Sequence, residues 1–349
     1  NHSVDTTVSA GENANGNASF LSLLKTRIDK ASHSIDLTSW EFSGLDSAAA
    51  YLVRAHERGV RIRFVYNHMP DNPNIETLRA HGIPILKREF DTTFTMHNKF
   101  WIFDHRYNTG TQNQYLWTGS TNITHTQFHS DRNNIIVIQD QSLCEVYTRE
   151  FEEMWGSHTD LPDTARSRFG TEKTDNLAHR LNVSGIPMEV YFAPTDSIAD
   201  TLALMMTARP VKSIYFCMLK FTLPNVEDSL HSAFLRGIRV SGVFDSSCSV
   251  NAGSAYPRMK GHPVPGAWQP PADVYIDTIP GLLHHKYMLV DADTAGVLRI
   301  TTTGSFNWEI PAQRGNDENM IVVHNDRVNN LYFQEFMARY RESGGVLVG

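Results

Sequence analysis

Six residues occur twice in this chain in the same order of chemistry. His97, Lys99 and Asp104 in MHNKFWIFD have the spacing of His284, Lys286 and Asp291 in LLHHKYMLVD. Each set is followed by a G-S-x-N step: Gly119, Ser120 and Asn122 in TGSTN, and Gly304, Ser305 and Asn307 in TGSFN. With 16 His, 31 Lys+Arg and 38 Asp+Glu in 349 residues, an H-x-[KR]-x4-[DE] pattern arises by chance about 0.15 times. Two copies with the same downstream step mean a duplicated unit, and the chain must fold as two related halves.

Hydrophobic periodicity gives both halves one plan. The first predicts a helix in ASFLSLLKTRIDKA, a strand in SIDLTSWEF, a helix in LDSAAAYLVRAHERG and a strand in VRIRFVYN. A short helix near NIETLRAHG and a strand in IPILKREF follow. The second repeats the order in DSIADTLALMMTA, SIYFCMLKF, VEDSLHSAFLRG and IRVSGVFD. Strands alternating with helices predict an α/β fold with helices on the faces of each sheet. The polar stretch 157–185 reads as a connection. We divide the chain into an N-terminal half (1–165), a linker (166–185) and a C-terminal half (186–349).

Composition narrows the function. Hydrophobic residues make up 41% and charged residues 20%, as in ordinary globular proteins. No apolar run reaches the roughly 20 residues needed to cross a bilayer. A net charge of −7 provides no chain-wide basic field for nucleic acid, although a local basic cleft remains open. Cys144, Cys217 and Cys248 have no metal-ligand spacing and permit at most one disulfide. A polar N-terminus without an initiating Met leads us to expect a processed, exported protein, secreted or periplasmic.

The paired H-x-K-x4-D motifs resemble those of the phospholipase D superfamily, and the resemblance covers nearly the whole chain. TGSFNWEIPAQRGNDEN is also similar to the corresponding segment of its endonuclease and cardiolipin-hydrolase branch. The resemblance implies two similar halves, each a mixed sheet flanked by helices, related by a pseudo-twofold axis with both motifs at one cleft. It implies metal-independent phosphodiester chemistry through a covalent phosphohistidine, with no cofactor. It also suggests that Glu318 reaches across the axis to His97. The equivalent Asn133 (each lies eleven residues after its Asn) or a nearby group would face His284.

Side chains at i and i+2 of a strand share a face, so each His–Lys pair points one way. Lys99 and Lys286 can clamp the equatorial oxygens of a phosphodiester, and Ser120, Asn122, Ser305 and Asn307 can donate further hydrogen bonds. Histidine, with an ordinary pKa of about 6.5, can serve as nucleophile or general acid. A carboxylate behind His97 makes it the expected nucleophile, with His284 as acid and base. Asp104 and Asp291 complete the motifs but face away from the phosphate, and we expect them to anchor loops. His285 points opposite to His284 and reads as structural or rim.

Trp117, Tyr256, Trp268 and Trp308 are candidate substrate contacts, the middle two on the irregular 246–273 loop at the expected cleft mouth. Trp101 reads as core, with Tyr115 and Phe306 undecided. Arg132 and Arg314 would be extra phosphate ligands or surface charges. The expected substrate is a phospholipid head-group diester, with transient contact to a membrane surface and no obligate protein partner. Nucleic acid is the alternative, and a catalytically silent binding protein is a third reading.

Overall fold

A computed structural model describes residues 2–9, 11–67, 70, 72–88, 93–108, 110 and 112–346. The N-terminal half forms strands β1 (Ser34–Ser39), β2 (Phe42–Ser43), β3 (Arg61–Tyr66), β4 (Ile85–Lys87), β5 (Phe100–Phe103), β6 (Tyr115–Gly119), β7 (Ile123–Thr124) and β8 (Ile135–Gln139). Its helices are α1 (Phe20–Lys30), α2 (Asp46–Glu57), α3 (Pro73–Ala80), α4 (His125–His129) and α5 (Gln141–Trp155). The rest of the chain contributes β9 (Arg180–Val183), β10 (Ile186–Ala193), β11 (Ser213–Met218), β12 (Arg239–Phe244), β13 (Asp273–Ile276), β14 (Lys286–Val290), β15 (Ile300–Gly304) and β16 (Glu318–His324). With them come α6 (Ile198–Ala208), α7 (Pro224–Leu235), α8 (Ser246–Ser249), α9 (Tyr256–Met259), α10 (Ile310–Arg314) and α11 (Asp326–Glu342). Of the strand expected in IPILKREF, Glu89 and Phe90 lie outside the described residues.

The strands build two mixed sheets with one repeated order. The first runs β4-β3-β1-β5-β6-β8, and the second runs β13-β12-β11-β14-β15-β16 before adding β10 and β9. In each, three parallel strands come first, and the motif strand, β5 or β14, pairs antiparallel to the innermost of them. The fold is therefore α/β with two similar halves. The hairpin β9–β10 corrects the linker: Leu181 and Val183 alternate with polar neighbours, and Ser184 and Gly185 supply left-handed turn residues (φ 51° and 88°).

Each half carries an outer helical layer, α1–α3 on the first sheet and α6–α7 on the second, around separate apolar clusters. A third cluster is shared. Helix α5, capped at its start by the Asp140 carboxylate on the Leu143 N–H, presents Leu143, Tyr147, Phe151 and Met154 at helical spacing. These pack with Phe100 and Ile102 of the first sheet and with Val190, Phe192 and Ile321 of the second. Gly156 ends α5 with φ 78°, and a Cβ there would lie 2.1 Å from the Asp163 carbonyl. Burying each such side chain stabilises the join by about 1.5–3 kcal/mol. Helix α11 covers the facing side of the second sheet.

The division at residue 165 also needs amendment at the other end. Asp5 donates its backbone N–H to Gln334 of α11, and Asp5 and Glu12 pair with Arg341 and Arg327. Opposite charges thus lay the first residues on the C-terminal half. Cys144, Cys217 and Cys248 are free thiols. Among the described residues, no helix is long and apolar enough to cross a membrane.

Candidate active site

Both motifs sit where the two sheets meet, and the join is reciprocal. The backbone N–H of His97 donates to the Asp317 carbonyl at 2.9 Å, and Asp317 donates back to Thr95 at 2.9 Å. On the other side, His284 donates to Arg132 at 2.9 Å and Arg132 donates to Leu282 at 2.8 Å. Each half therefore hands the residue after its crossing point to the other half's histidine. Glu318 meets Nδ1 of His97 at 2.8 and 2.7 Å, and Asn133 Oδ1 meets Nδ1 of His284 at 2.9 Å. His284 is 4% exposed and Glu318 is fully buried, which excludes a surface pair between Glu318 and Arg314.

The G-S-x-N steps hold these partners in place. Glycine is required at 119 and 304, where φ is 152° and 150° and a Cβ would lie 2.2 and 2.1 Å from the carbonyls of Asn134 and Asn319. That close approach lets Ser120 Oγ donate to Asn133 Oδ1 at 2.8 Å and Ser305 Oγ donate to Glu318 Oε2 at 2.5 Å. Ser120 and Ser305 are thus committed to positioning, which corrects their expected role as phosphate ligands. The strands stop at Gly119 and Gly304, so Ser120, Asn122, Ser305 and Asn307 lie beyond them rather than along a strand face. Asn122 and Asn307 are buried with Oδ1 unpartnered, while Asn307 Nδ2 donates to Glu309 at 2.9 Å.

Lys99 and Lys286 curl back alike, each ammonium donating to the carbonyl of its own histidine at 2.8 Å. Burial brings Lys286 down to about 7, with Glu318 resisting. Burial likewise holds Lys99 well below the usual lysine range. His97 is pushed well below its ordinary range by burial and then by Lys99, Lys286 and Lys220; for His284 the causes are burial, Lys286 and Lys99. Neither ring keeps the near-neutral pKa expected from sequence. Burial pushes Glu318 up to about 7 against the pull of Lys99.

Asp104 and Asp291 stand outside the cleft. The Asp104 carboxylate accepts the backbone N–H groups of Ser32, His33 and Ser34, and Asp291 accepts those of Val211, Lys212 and Ser213. Both have left-handed backbones (φ 55° and 56°). They fasten the chain just before β1 and β11 to the end of the motif strand. His285 is 1% exposed, between Asn134 and Glu335.

Three of the four aromatic candidates, Trp117, Trp268 and Trp308, are buried in the core. Trp117 belongs to the first-half core, and Trp308 packs edge-on to Phe221 at 4.7 Å. Trp268 is 1% exposed and stacks on His231 at 4.5 Å. Tyr256 lies half-buried against Phe244 and His262. Trp101 is core; Phe306 is buried, and Tyr115 lies beneath the Arg27 guanidinium. Arg132 is buried in a pair with Asp277 at 3.0 Å, while Arg314 is exposed at the end of α10.

Three neighbours of the histidines escape the motif reading. Trp40 meets the His97 ring edge-on at 6.2 Å, Gln127 Nε2 lies 3.3 Å from His284 Nε2, and Lys220 acts on His97 while pairing with Glu309. Trp40 comes one residue after β1 and Lys220 two after β11, both within the segments SIDLTSWEF and SIYFCMLKF, but the repeat sets Trp40 against Leu219 and Lys220 against Glu41 and so marks neither. Among the described residues, the three-carboxylate-or-imidazole group close enough to share a cation is Asp175, His179 and Asp196, which includes no motif residue.

Comparison with known proteins agrees with this arrangement. Residues 24–155 and 201–340 match the family described as cardiolipin synthase, PLD-like domain. The mitochondrial cardiolipin hydrolase of Xenopus laevis is 31% identical over 159 residues, 44% of this chain and 68% of that one. The human enzyme of that name is 27% identical over 140 residues, 40% of this chain and 49% of that one. A phospholipase D of Rickettsia prowazekii is 27% identical over 135 residues, 39% of this chain and 59% of that one. The chain thus spans about half to two thirds of the length of these relatives. Among solved structures, phosphatidylserine synthase of Haemophilus influenzae superposes with a TM-score of 0.60 at 12% identity, covering 94% of this chain and 85% of that one. Polyphosphate kinase of Porphyromonas gingivalis gives 0.61 at 12% identity, covering 91% and 48%. At that identity both speak to the fold alone.

Proposed function

The chain belongs to the phospholipase D superfamily, a family of phosphodiesterases, and from that premise we propose a metal-independent hydrolase that works through a phosphohistidine on His97. The observation that carries this reading is the unequal backing of two facing histidines, a carboxylate behind His97 and an amide behind His284.

Attack of His97 Nε2 on phosphorus leaves a positive charge on the ring, and Glu318 at Nδ1 stabilises that charge. His284 gives a proton to the departing alkoxide. It then takes one from the water that cleaves the N–P bond, so the protons balance over the two steps. Lys99 and Lys286 meet the charge that gathers on the equatorial oxygens, the task a cation performs in metal-dependent enzymes. Asn122 and Asn307 contribute amide groups beside them.

The substrate we infer is a phospholipid head-group diester. The names of the relatives, cardiolipin hydrolase and phospholipase D, support it, as does the acidic balance of the chain. Hydrolysis of bis(p-nitrophenyl) phosphate should survive excess EDTA; loss on chelation with recovery on adding Zn²⁺ or Mg²⁺ would sink the mechanism. Vesicles of phosphatidylcholine, phosphatidylethanolamine or cardiolipin, set beside single- and double-stranded DNA and RNA, test the substrate. Head-group release is expected, and degraded nucleic acid with untouched lipid would reverse the assignment.

A further inference from the structure

With Nδ1 of His284 engaged by Asn133, Nε2 is the nitrogen left to exchange protons with substrate. That atom is met at 3.3 Å by Nε2 of Gln127, a side chain 6% exposed. The orientation of the amide is pinned from behind, because Gln127 Oε1 accepts the Asn122 backbone N–H at 2.6 Å. The NH2 end is therefore presented to the imidazole, and an amide NH2 can only donate. His284 Nε2 must then be the acceptor, with the ring proton on Nδ1 facing Asn133 Oδ1. Adding a proton to Nε2 would set two donors against each other. The repeat breaks at this position. Gln127 comes five residues after Asn122, and five after Asn307 stands the buried Ala312, with no polar side chain to offer His97.

Resting on the two-histidine reading above, we propose that Gln127 is a positioning residue that holds His284 as the neutral, Nδ1-protonated imidazole and so sets the pH range in which alkoxide leaving groups are expelled. The charges around His284 are Lys286 on its own strand, Lys99 and His97 from the other half, and neighbouring His285. The Arg132 guanidinium is held by Asp277. Lys286 Nζ also lies 3.4 Å from His284 Nδ1, a longer contact than the 2.9 Å to Asn133 Oδ1, and both lysines oppose a positive ring, whereas Gln127 meets Nε2 and selects the tautomer.

The consequence differs between the two half-reactions. In the first, the P–O bond to the alkoxide breaks as the His97 N–P bond forms, and the alkoxide takes the proton from His284 Nε2. Gln127 opposes that protonated state. In the second, water forms its O–P bond as the N–P bond breaks, and its proton goes to the Nε2 lone pair, which Gln127 has kept available. A leaving group as weakly basic as p-nitrophenolate departs without a proton, so its release escapes the first constraint.

Histidine-selective ¹⁵N NMR of the whole, ligand-free protein tests this across pH in wild type, Gln127→Ala and the similarly sized Gln127→Glu. The wild-type signal should report an unprotonated Nε2. Gln127→Ala should raise the proton affinity of His284 about three- to tenfold, the scale of one neutral hydrogen bond. Gln127→Glu should raise it further, since a carboxylate oxygen can accept from Nε2–H. The alkaline limb of phosphatidylethanolamine head-group release should move up in step, while the first-turnover burst of p-nitrophenolate from bis(p-nitrophenyl) phosphate, which takes no proton from His284, keeps its profile. An Nε2–H tautomer in wild type, or one midpoint in all the folded proteins, would overturn the inference. Absence of any diester hydrolysis would remove the proposed function, yet the tautomer and midpoints read by NMR would still decide the role of Gln127.

Discussion

At the scale of single residues, the site is governed by what burial does to charge. Lys286, brought down to about 7, loses its proton as pH rises through 7 in the free protein, and a bound phosphate restores that charge. Glu318, pushed up to about 7, is driven further toward its neutral form by an anion beside it. Both changes have the same sign. Sulfate, which carries no titrating proton in this range, should therefore bind with net proton uptake between pH 7 and 8, and its affinity should fall as pH rises. Calorimetry in buffers of different ionisation enthalpy would show it, and proton release would contradict it. The histidines, lysines and Glu318 were legible in the sequence because the repeat marks them twice or marks a break in itself. The commitment of Ser120 and Ser305 was not, because it depends on carbonyls 2.2 and 2.1 Å from an absent Cβ.

At the scale of elements, two carboxylates tie strand ends together. Asp104→Ala leaves three backbone N–H groups without their acceptor and puts alanine at φ 55°. It should cost about 2–4 kcal/mol, measured by urea unfolding. A loss below about 0.5 kcal/mol would remove the anchor role. The 246–273 segment read as an open loop because its glycines and prolines hide any period. In three dimensions Met259 and Trp268 enter the second-half core, and Asp245 caps α8. Trp268→Ala should thus cost about 3–5 kcal/mol, as for a core tryptophan. It should leave the choice between large and small substrates unchanged in the protein that remains folded. A selective loss on lipid, with stability intact, would return Trp268 to the cleft mouth.

At the scale of the whole molecule, the halves are two copies of one plan but not two independent bodies. Cluster residues of α5, β5, β10 and β16 form one core, and the residues flanking each histidine pair with the other half. Asp317 shows the coupling best. It is fully buried, bonds Arg88 at 2.8 Å and Lys173 at 3.2 Å, and hands its carbonyl to the His97 N–H. Asp317→Ala should cost about 3–5 kcal/mol because it strands the buried Arg88 guanidinium, while Lys173 keeps Glu150 at 2.5 Å. Tryptophan fluorescence and circular dichroism should still lose structure in one shared transition. Two separate transitions in the wild type would mean halves that fold alone. Duplication was readable from motif spacing. The shared core and the docking of the N-terminal residues on α11 were not, since contacts between distant segments leave no local period.

The central claim is that one histidine takes the phosphoryl group and the other moves protons. Rapid quenching of the enzyme with ³²P-labelled bis(p-nitrophenyl) phosphate, whose leaving group needs no proton from His284, followed by peptide mapping, tests it most directly. The account predicts label on the peptide carrying His97, accumulating in His284→Asn, where water is no longer deprotonated. Label on His284 in the wild type, or turnover with no labelled histidine at any time, would contradict it.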